Sequence, residues 1–172
     1  MNHKIHRLIS CVFGLTSLFI ANATAQNAPP ASLATEYVFT IEAKIGTTYS
    51  MGKTVDGTRQ SIAITGGSFY GDSIKGEVIP GGADYQLTRS DGTTRLHAIY
   101  MIKTDDGALI NVDNVGLIVP ESADTPFYFR TSPRFTAPNG KYSWLNQNIF
   151  VAGVRFDPAK ANTVLIDVYQ LK

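Results

Sequence analysis

Between residues 84 and 146 the chain places eight side chains whose types fit a small-molecule site: Asp84, His97, Tyr100, Arg130, Arg134, Tyr142, Trp144 and Asn146. Asp84 or His97 would move a proton, the imidazole having a reference pKa suited to that task. Arg130 and Arg134, if both face one cavity, would clamp a carboxylate or stabilise a developing oxyanion. Tyr100, Tyr142, Trp144 and Asn146 would line the cavity, because ligand pockets are mostly apolar with a few placed polar groups. All but Tyr142 also have a plainer use. Asp84 follows Gly81-Gly82 and fits a turn cap. His97 fits a surface position, and Tyr100 a core position with its hydroxyl on a carbonyl. The arginines fit an exposed ion-pair network, Trp144 a packing anchor, and Asn146 a partner for backbone groups.

Other chemistries lack their residues. Residues 1–25 read as a secretory signal: Lys4 and Arg7 give a positive start, Leu8 to Ala21 is mostly apolar, and Ala23-Thr24-Ala25 is an A-x-A cleavage site. An uncleaved anchor is the alternative, but the apolar run is short for a membrane span. Cleavage before Gln26 removes Cys11, His3 and His6, leaving no thiol and His97 as the remaining histidine. A zinc site therefore lacks ligands, and no other metal or cofactor is expected. Asp105-Asp106-Gly107 with Asp113-Asn114 reads as turns rather than as a calcium loop. Gly71 to Glu77 lacks the Lys-Ser/Thr ending of a phosphate loop, there is no G-x-S-x-G elbow, and no βαβ pattern supports a nicotinamide fold. Without Lys4 and Arg7, thirteen basic residues of the 15 face 14 acidic ones, a net of about −1. That balance argues against nucleic acid or an anionic membrane as partner. The expected location is periplasmic or secreted, and a homodimer through an outer face is possible.

The elements that must position these residues are strands. Gly66 to Asp84, GGSFYGDSIKGEVIPGGAD, holds six glycines in nineteen residues and reads as a bent corner. Residues 26–35 read as a loose lead, and 36–172 as one all-β domain. Tyr37, Phe39, Ile41 and Ala43 alternate with polar residues, the period of a half-buried strand. Asp56-Gly57, Asp91-Gly92, Asp106-Gly107 and Asn139-Gly140 mark hairpin turns. Strands are expected at Ser61–Thr65, Thr93–Thr104, Ala108–Val119, Phe127–Thr136, Lys141–Val154 and Thr163–Leu171, with one helical turn available at 157–162. About eight to ten such strands hide their edges best by closing into an antiparallel barrel, with a two-sheet sandwich as alternative.

Alternation then sorts faces. In the long strand Leu96, Ala98, Tyr100 and Ile102 oppose Arg95, His97, Ile99, Met101 and Lys103. A regular strand thus sends only one of His97 and Tyr100 inward. Tyr128, Arg130, Ser132 and Arg134 share a face opposite Phe127, Phe129, Thr131 and Phe135. Tyr142, Trp144, Asn146, Asn148 and Phe150 share another.

The segments GGSFYGDSIKGEVIPGGADY, LTRSDGTTRLHAIYMIKTDDGALINVDNVG and YFRTSPRFTAPNGKYSWLNQNIFVAGVRF together resemble the DUF3237 (UPF0311) family over about residues 36–172. The resemblance implies a small β-barrel of calycin-like or allene-oxide-cyclase-like shape, and it assigns no general activity. The sequence departs from the family pattern at Tyr85, where tryptophan is usual. It departs also at His97 and Ile99, within a segment often written L-D-A-R-Y, and at Thr136. Three functions fit: a barrel binding a small apolar or aromatic molecule, a cofactor-independent lyase or isomerase using acid–base chemistry, or a fully packed interaction module.

Overall fold

The computed structural model describes residues 32–172, so the signal expected at 1–25 and most of the lead expected at 26–35 lie outside the described residues. Eight strands run in order: β1 Thr35–Thr54, β2 Gly57–Tyr70, β3 Lys75–Thr88, β4 Thr94–Thr104, β5 Leu109–Val119, β6 Tyr128–Thr136, β7 Phe150–Phe156 and β8 Thr163–Leu171. Each pairs antiparallel with the next, and β8 returns to β1, closing the barrel. Closure leaves no edge strand exposed. Seven of the seams are extensively paired, whereas β6 and β7 are joined only at Arg130–Gly153 and Thr131–Ala152.

Period-two patterning produces this wall. Along β6 exposed and buried residues alternate without a break, and β4 buries Leu96, Ala98, Tyr100 and Ile102 while their neighbours face out. The glycine-rich stretch bends the sheet as expected. Gly66 and Gly67 both have φ 130°, and the pairing register shifts between Ile64 and Ser68 and again between Ile79 and Ala83. A Cβ at Gly67 would collide with the carbonyl oxygen of Glu42 on β1. Only glycine combines that close approach with that backbone angle.

The barrel's two ends differ. The end carrying the β2–β3, β4–β5 and β6–β7 connections is plugged by rings: Phe39 packs on Phe69 and Phe135, and Phe150 packs on Phe135 and Trp144, with centroids 5.1–6.0 Å apart. Leu145 and Ile74 are buried in the same apolar cluster. Toward the other end the interior opens into a chamber of about 210 Å³.

The strand expected at Lys141–Val154 forms only in its last part. Residues 143–147 form a 3-10 turn, and β7 starts only at Phe150. Ser143 donates to the Gly140 carbonyl from both its backbone N–H and its hydroxyl, and the Asn148 amide donates to the Trp144 carbonyl. Short polar side chains here meet local backbone groups that a strand would have paired across the sheet. Residues 157–162 are a turn between β7 and β8 rather than a helix.

Candidate functional site

Two of the eight expected site residues, Asp84 and Tyr100, meet in the chamber. Asp84 lies on β3 directly opposite Ala98 of β4, and Ala98 lies opposite Asn114 of β5. The small alanine leaves space between the two polar side chains. Tyr100 is two residues along β4 on the same face. Gly82 makes room for it, since a Cβ there would strike the Tyr100 Cβ and come within 2.6 Å of the Ile99 carbonyl. Thr131 enters from β6 opposite Gly116.

These polar groups are incompletely paired. Among the described residues, four buried side-chain polar atoms lack a hydrogen-bond partner: Asp84 Oδ1, the Tyr100 hydroxyl, Asn114 Oδ1 and Thr131 Oγ1. All four residues line the chamber. Buried polar atoms are nearly always paired, so orphans converging on one cavity mark a place for a ligand or ordered water. The other Asp84 oxygen is held: Gln86 Nε2 donates to Asp84 Oδ2 at 2.6 Å, and Gln60 Nε2 donates to Gln86 Oε1 at 2.7 Å.

Burial pushes the Asp84 carboxyl above the ordinary carboxylate value, against the hydrogen bond from Gln86 and the influence of His97, which pull it down. Burial, and then the charge of Asp84, push the Tyr100 hydroxyl up as well, so it stays protonated. An apolar enclosure thus holds a carboxyl group of raised pKa and, on the neighbouring strand, a protonated Tyr100 hydroxyl.

The remaining expected residues lie elsewhere. His97 is on the outer face, where its Nε2 lies 2.8 Å from Asp113 Oδ1. The regular β4 strand sends Tyr100 inward and therefore His97 outward. Arg130 and Arg134 are also outside and exposed. Arg130 donates to the Phe129 carbonyl and lies over the Tyr128 ring. The expectation that two guanidinium groups face the cavity is corrected: Phe129, Thr131 and Phe135 take the inward phase of β6, and the arginines take the other. Tyr142 is buried at the plugged end, where its hydroxyl donates to Asp106 Oδ1 at 2.9 Å. Trp144 packs on Phe150 in the plug. Asn146 bonds the N–H and carbonyl of Ala137, pinning the β6–β7 connection. None of these three reaches the chamber, because the 3-10 turn carries them across the closed end.

The sequence did not point to Asn114, Thr131, Gln86 or Gln60 as site residues, and Asp113-Asn114, expected in a turn, lies in the middle of β5, where the strand pairs on both sides. Asn114 continues the inward set Ile110, Val112, and Thr131 sits between inward Phe129 and Pro133. A polar residue in the apolar phase of a strand was the available signal.

The fold and chamber can now be set beside known proteins. A family model described as "Protein of unknown function (DUF3237)" matches residues 33–171. The chain belongs to the DUF3237 family. A UPF0311 protein of Rhodopseudomonas palustris is 40% identical over 152 residues, covering 81% of this chain and 97% of that protein. Its crystal structure, described as a conserved protein of unknown function, superposes with a TM-score of 0.76 at 39% identity, over 83% of this chain and 99% of that one. A β-barrel like protein of Acinetobacter baumannii gives a TM-score of 0.75 at 31% identity, over 86% and 100% of the two chains. A hydroalkoxylation enzyme of Penicillium herquei is 31% identical over 132 residues, covering 77% of this chain and 81% of the enzyme. Within this DUF3237 barrel, Tyr85, His97, Ile99 and Thr136 all fall on strand positions whose neighbours face the interior.

Proposed function

We propose that this DUF3237 barrel binds a small, largely apolar molecule in its chamber and catalyses a cofactor-independent proton-transfer reaction there, with Asp84 as the acid–base group. The observation that carries this reading is the Asp84 carboxyl: half-buried, raised in pKa, with one oxygen fixed by Gln86 and the other unpartnered in an apolar cavity. Binding alone would use the chamber equally well, but it gives no reason to bury an ionisable group, which costs stability.

The hydroalkoxylation relative supports a reaction class. Adding an O–H group across a carbon–carbon double bond within one molecule is an isomerisation that needs a proton donated to carbon and one withdrawn from oxygen. A carboxyl group in its protonated form can do both in turn. Asp84 gives its proton to the alkene carbon, the substrate oxygen bonds to the neighbouring carbon, and that oxygen returns its proton to the Asp84 carboxylate. Atoms balance and no electrons are exchanged with another reagent. The Tyr100 hydroxyl, kept protonated, steadies a substrate oxygen.

The test uses ortho-alkenyl phenols as probes in D₂O. Cyclic ether carrying one deuterium on carbon is expected from the wild type. Asp84→Asn should keep the fold by circular dichroism and lose about 10²–10⁴-fold in rate. Turnover undiminished in that variant would remove Asp84 from the role. Export belongs to the same reading: the mature protein from the cell envelope should begin at Gln26, and cytosolic protein retaining residues 1–25 would reject it.

A further inference from the structure

The chamber has two unlike walls. Its hydrogen-bonding side chains come from four consecutive strands: Asp84 and Gln86 on β3, Tyr100 on β4, Asn114 on β5 and Thr131 on β6. The opposite four strands, β7, β8, β1 and β2, contribute only hydrocarbon: Val154 and Phe156, Val164 and Ile166, Ala43 and Ile45, Ile62 and Ile64. No lysine, arginine or histidine lines it among the described residues.

We infer that the ligand is an uncharged molecule with two faces, one edge bearing hydroxyl or carbonyl oxygens and the other side hydrocarbon. This rests on the reading that the chamber is a binding site. An anionic ligand would be buried without a counter-charge and beside Asp84, and a cation would give up its hydration for a single carboxyl already bonded to Gln86; burying either ion so poorly matched is costly. A pure hydrocarbon would leave four polar atoms unpaired after displacing the water that otherwise meets them. A ligand with a polar edge replaces those bonds, and its hydrocarbon side meets the aliphatic wall. Size agrees with a single substituted ring. A cavity of 150 Å³ takes benzene, and this one is about 210 Å³. The polar edge must also span Ala98. Asp84 and Asn114 stand two strand spacings apart, about 10 Å between Cα atoms, which suits oxygens at separated ring positions rather than one terminal head group.

Four matched probes test this by calorimetry on the intact protein at neutral pH: 4-propylresorcinol, 4-propylbenzoate, 4-propylbenzylamine and butylbenzene. The resorcinol should bind at least ~10-fold more tightly than each of the other three. Asn114→Leu and Thr131→Val should each weaken the resorcinol ~3- to 10-fold while leaving butylbenzene unchanged or improved. Ala98→Leu, which fills the gap between Asp84 and Asn114, should abolish resorcinol binding. Equal or tighter binding of the benzoate or the amine overturns the inference, as does resorcinol binding that matches butylbenzene or survives Ala98→Leu. Failure of all four probes also overturns it. The proposed chemistry fails by a different sign, turnover surviving in Asp84→Asn, so the two can fall separately.

Discussion

Gln86 Nε2 lies 2.6 Å from Asp84 Oδ2, and this bond divides the carboxyl into one anchored oxygen and one that faces the chamber free. Gln60, opposite Gln86 in the β2–β3 pairing, fixes the amide that makes the bond. The three side chains form a line of hydrogen bonds from β2 to β3 that ends on the Asp84 carboxyl.

Cutting that line should move a titration. Gln86→Leu removes a hydrogen bond that holds the Asp84 pKa down, so the carboxyl rises further. The limb of the pH–rate profile that reports it should shift to higher pH. Leaving Oδ2 unpaired should cost about 1–3 kcal/mol in denaturant unfolding at neutral pH. Gln60→Ala should shift the profile the same way by less. An unmoved limb in both variants would show that the amides do not tune Asp84.

The Asp84 carboxyl also sets a pH dependence of stability. Its folded pKa lies above the ordinary value of 3.8, so the native state holds its proton longer than the unfolded chain does. Its favourable contribution is complete below that ordinary value and is lost as pH rises through the raised one. At neutral pH the wild type therefore carries a penalty that Asp84→Asn lacks. The variant should melt higher at pH ~7, and the gap should close on acidification below about pH 4. Calorimetry across that range decides it, and a variant that melts lower at neutral pH would contradict it.

At the plugged end the sign is opposite. Hydrogen bonds from Lys141, Thr104 and Tyr142 hold the Asp106 carboxyl well below the usual range. That stabilisation is present above the ordinary carboxylate value and disappears as pH falls through the depressed one. Tyr142→Phe should therefore lower the melting temperature at neutral pH, with the deficit shrinking only in strong acid. Because Tyr142 lies away from the chamber, probe binding should not change. A variant that binds probe more weakly at an intact fold would restore Tyr142 as a ligand contact.

Two glycine substitutions should diverge. Gly82→Ala places a methyl group against Tyr100 and the Ile99 carbonyl, where nothing can yield cheaply. It should destabilise by about 1–3 kcal/mol and distort the chamber. Gly153→Ala meets nothing within 4 Å, and it should be neutral or stabilise by up to about 1 kcal/mol by restricting the unfolded chain. Urea titrations of both read the difference, and equal effects would contradict the packing described at Gly82.

Strand phase was legible in the sequence because it is a local property. Leu96, Ala98, Tyr100 and Ile102 could be set on one side of β4 and His97 on the other without knowing what lay opposite. The same phase put Arg130 and Arg134 opposite Phe129 and Phe135, but it did not say which side was interior to a cavity. Which residues meet across the barrel is not local. Asp84, Asn114 and Thr131 come together through the pairing of β3, β4, β5 and β6, and pairing register is set by the whole wall. The segment 142–148 misled because aromatic and amide residues alternate there as in a strand. Hydrogen bonds from Ser143 and Asn148 to nearby carbonyls outweigh that pattern.

Rings plug one end of the barrel, while Phe156 on the chamber's far rim stays 58% exposed. Traffic through such a cup is single-file: whatever is made inside must leave by the doorway through which its precursor came. Departing product and arriving substrate then exclude one another. Accumulated product should raise the apparent KM without lowering the maximal rate.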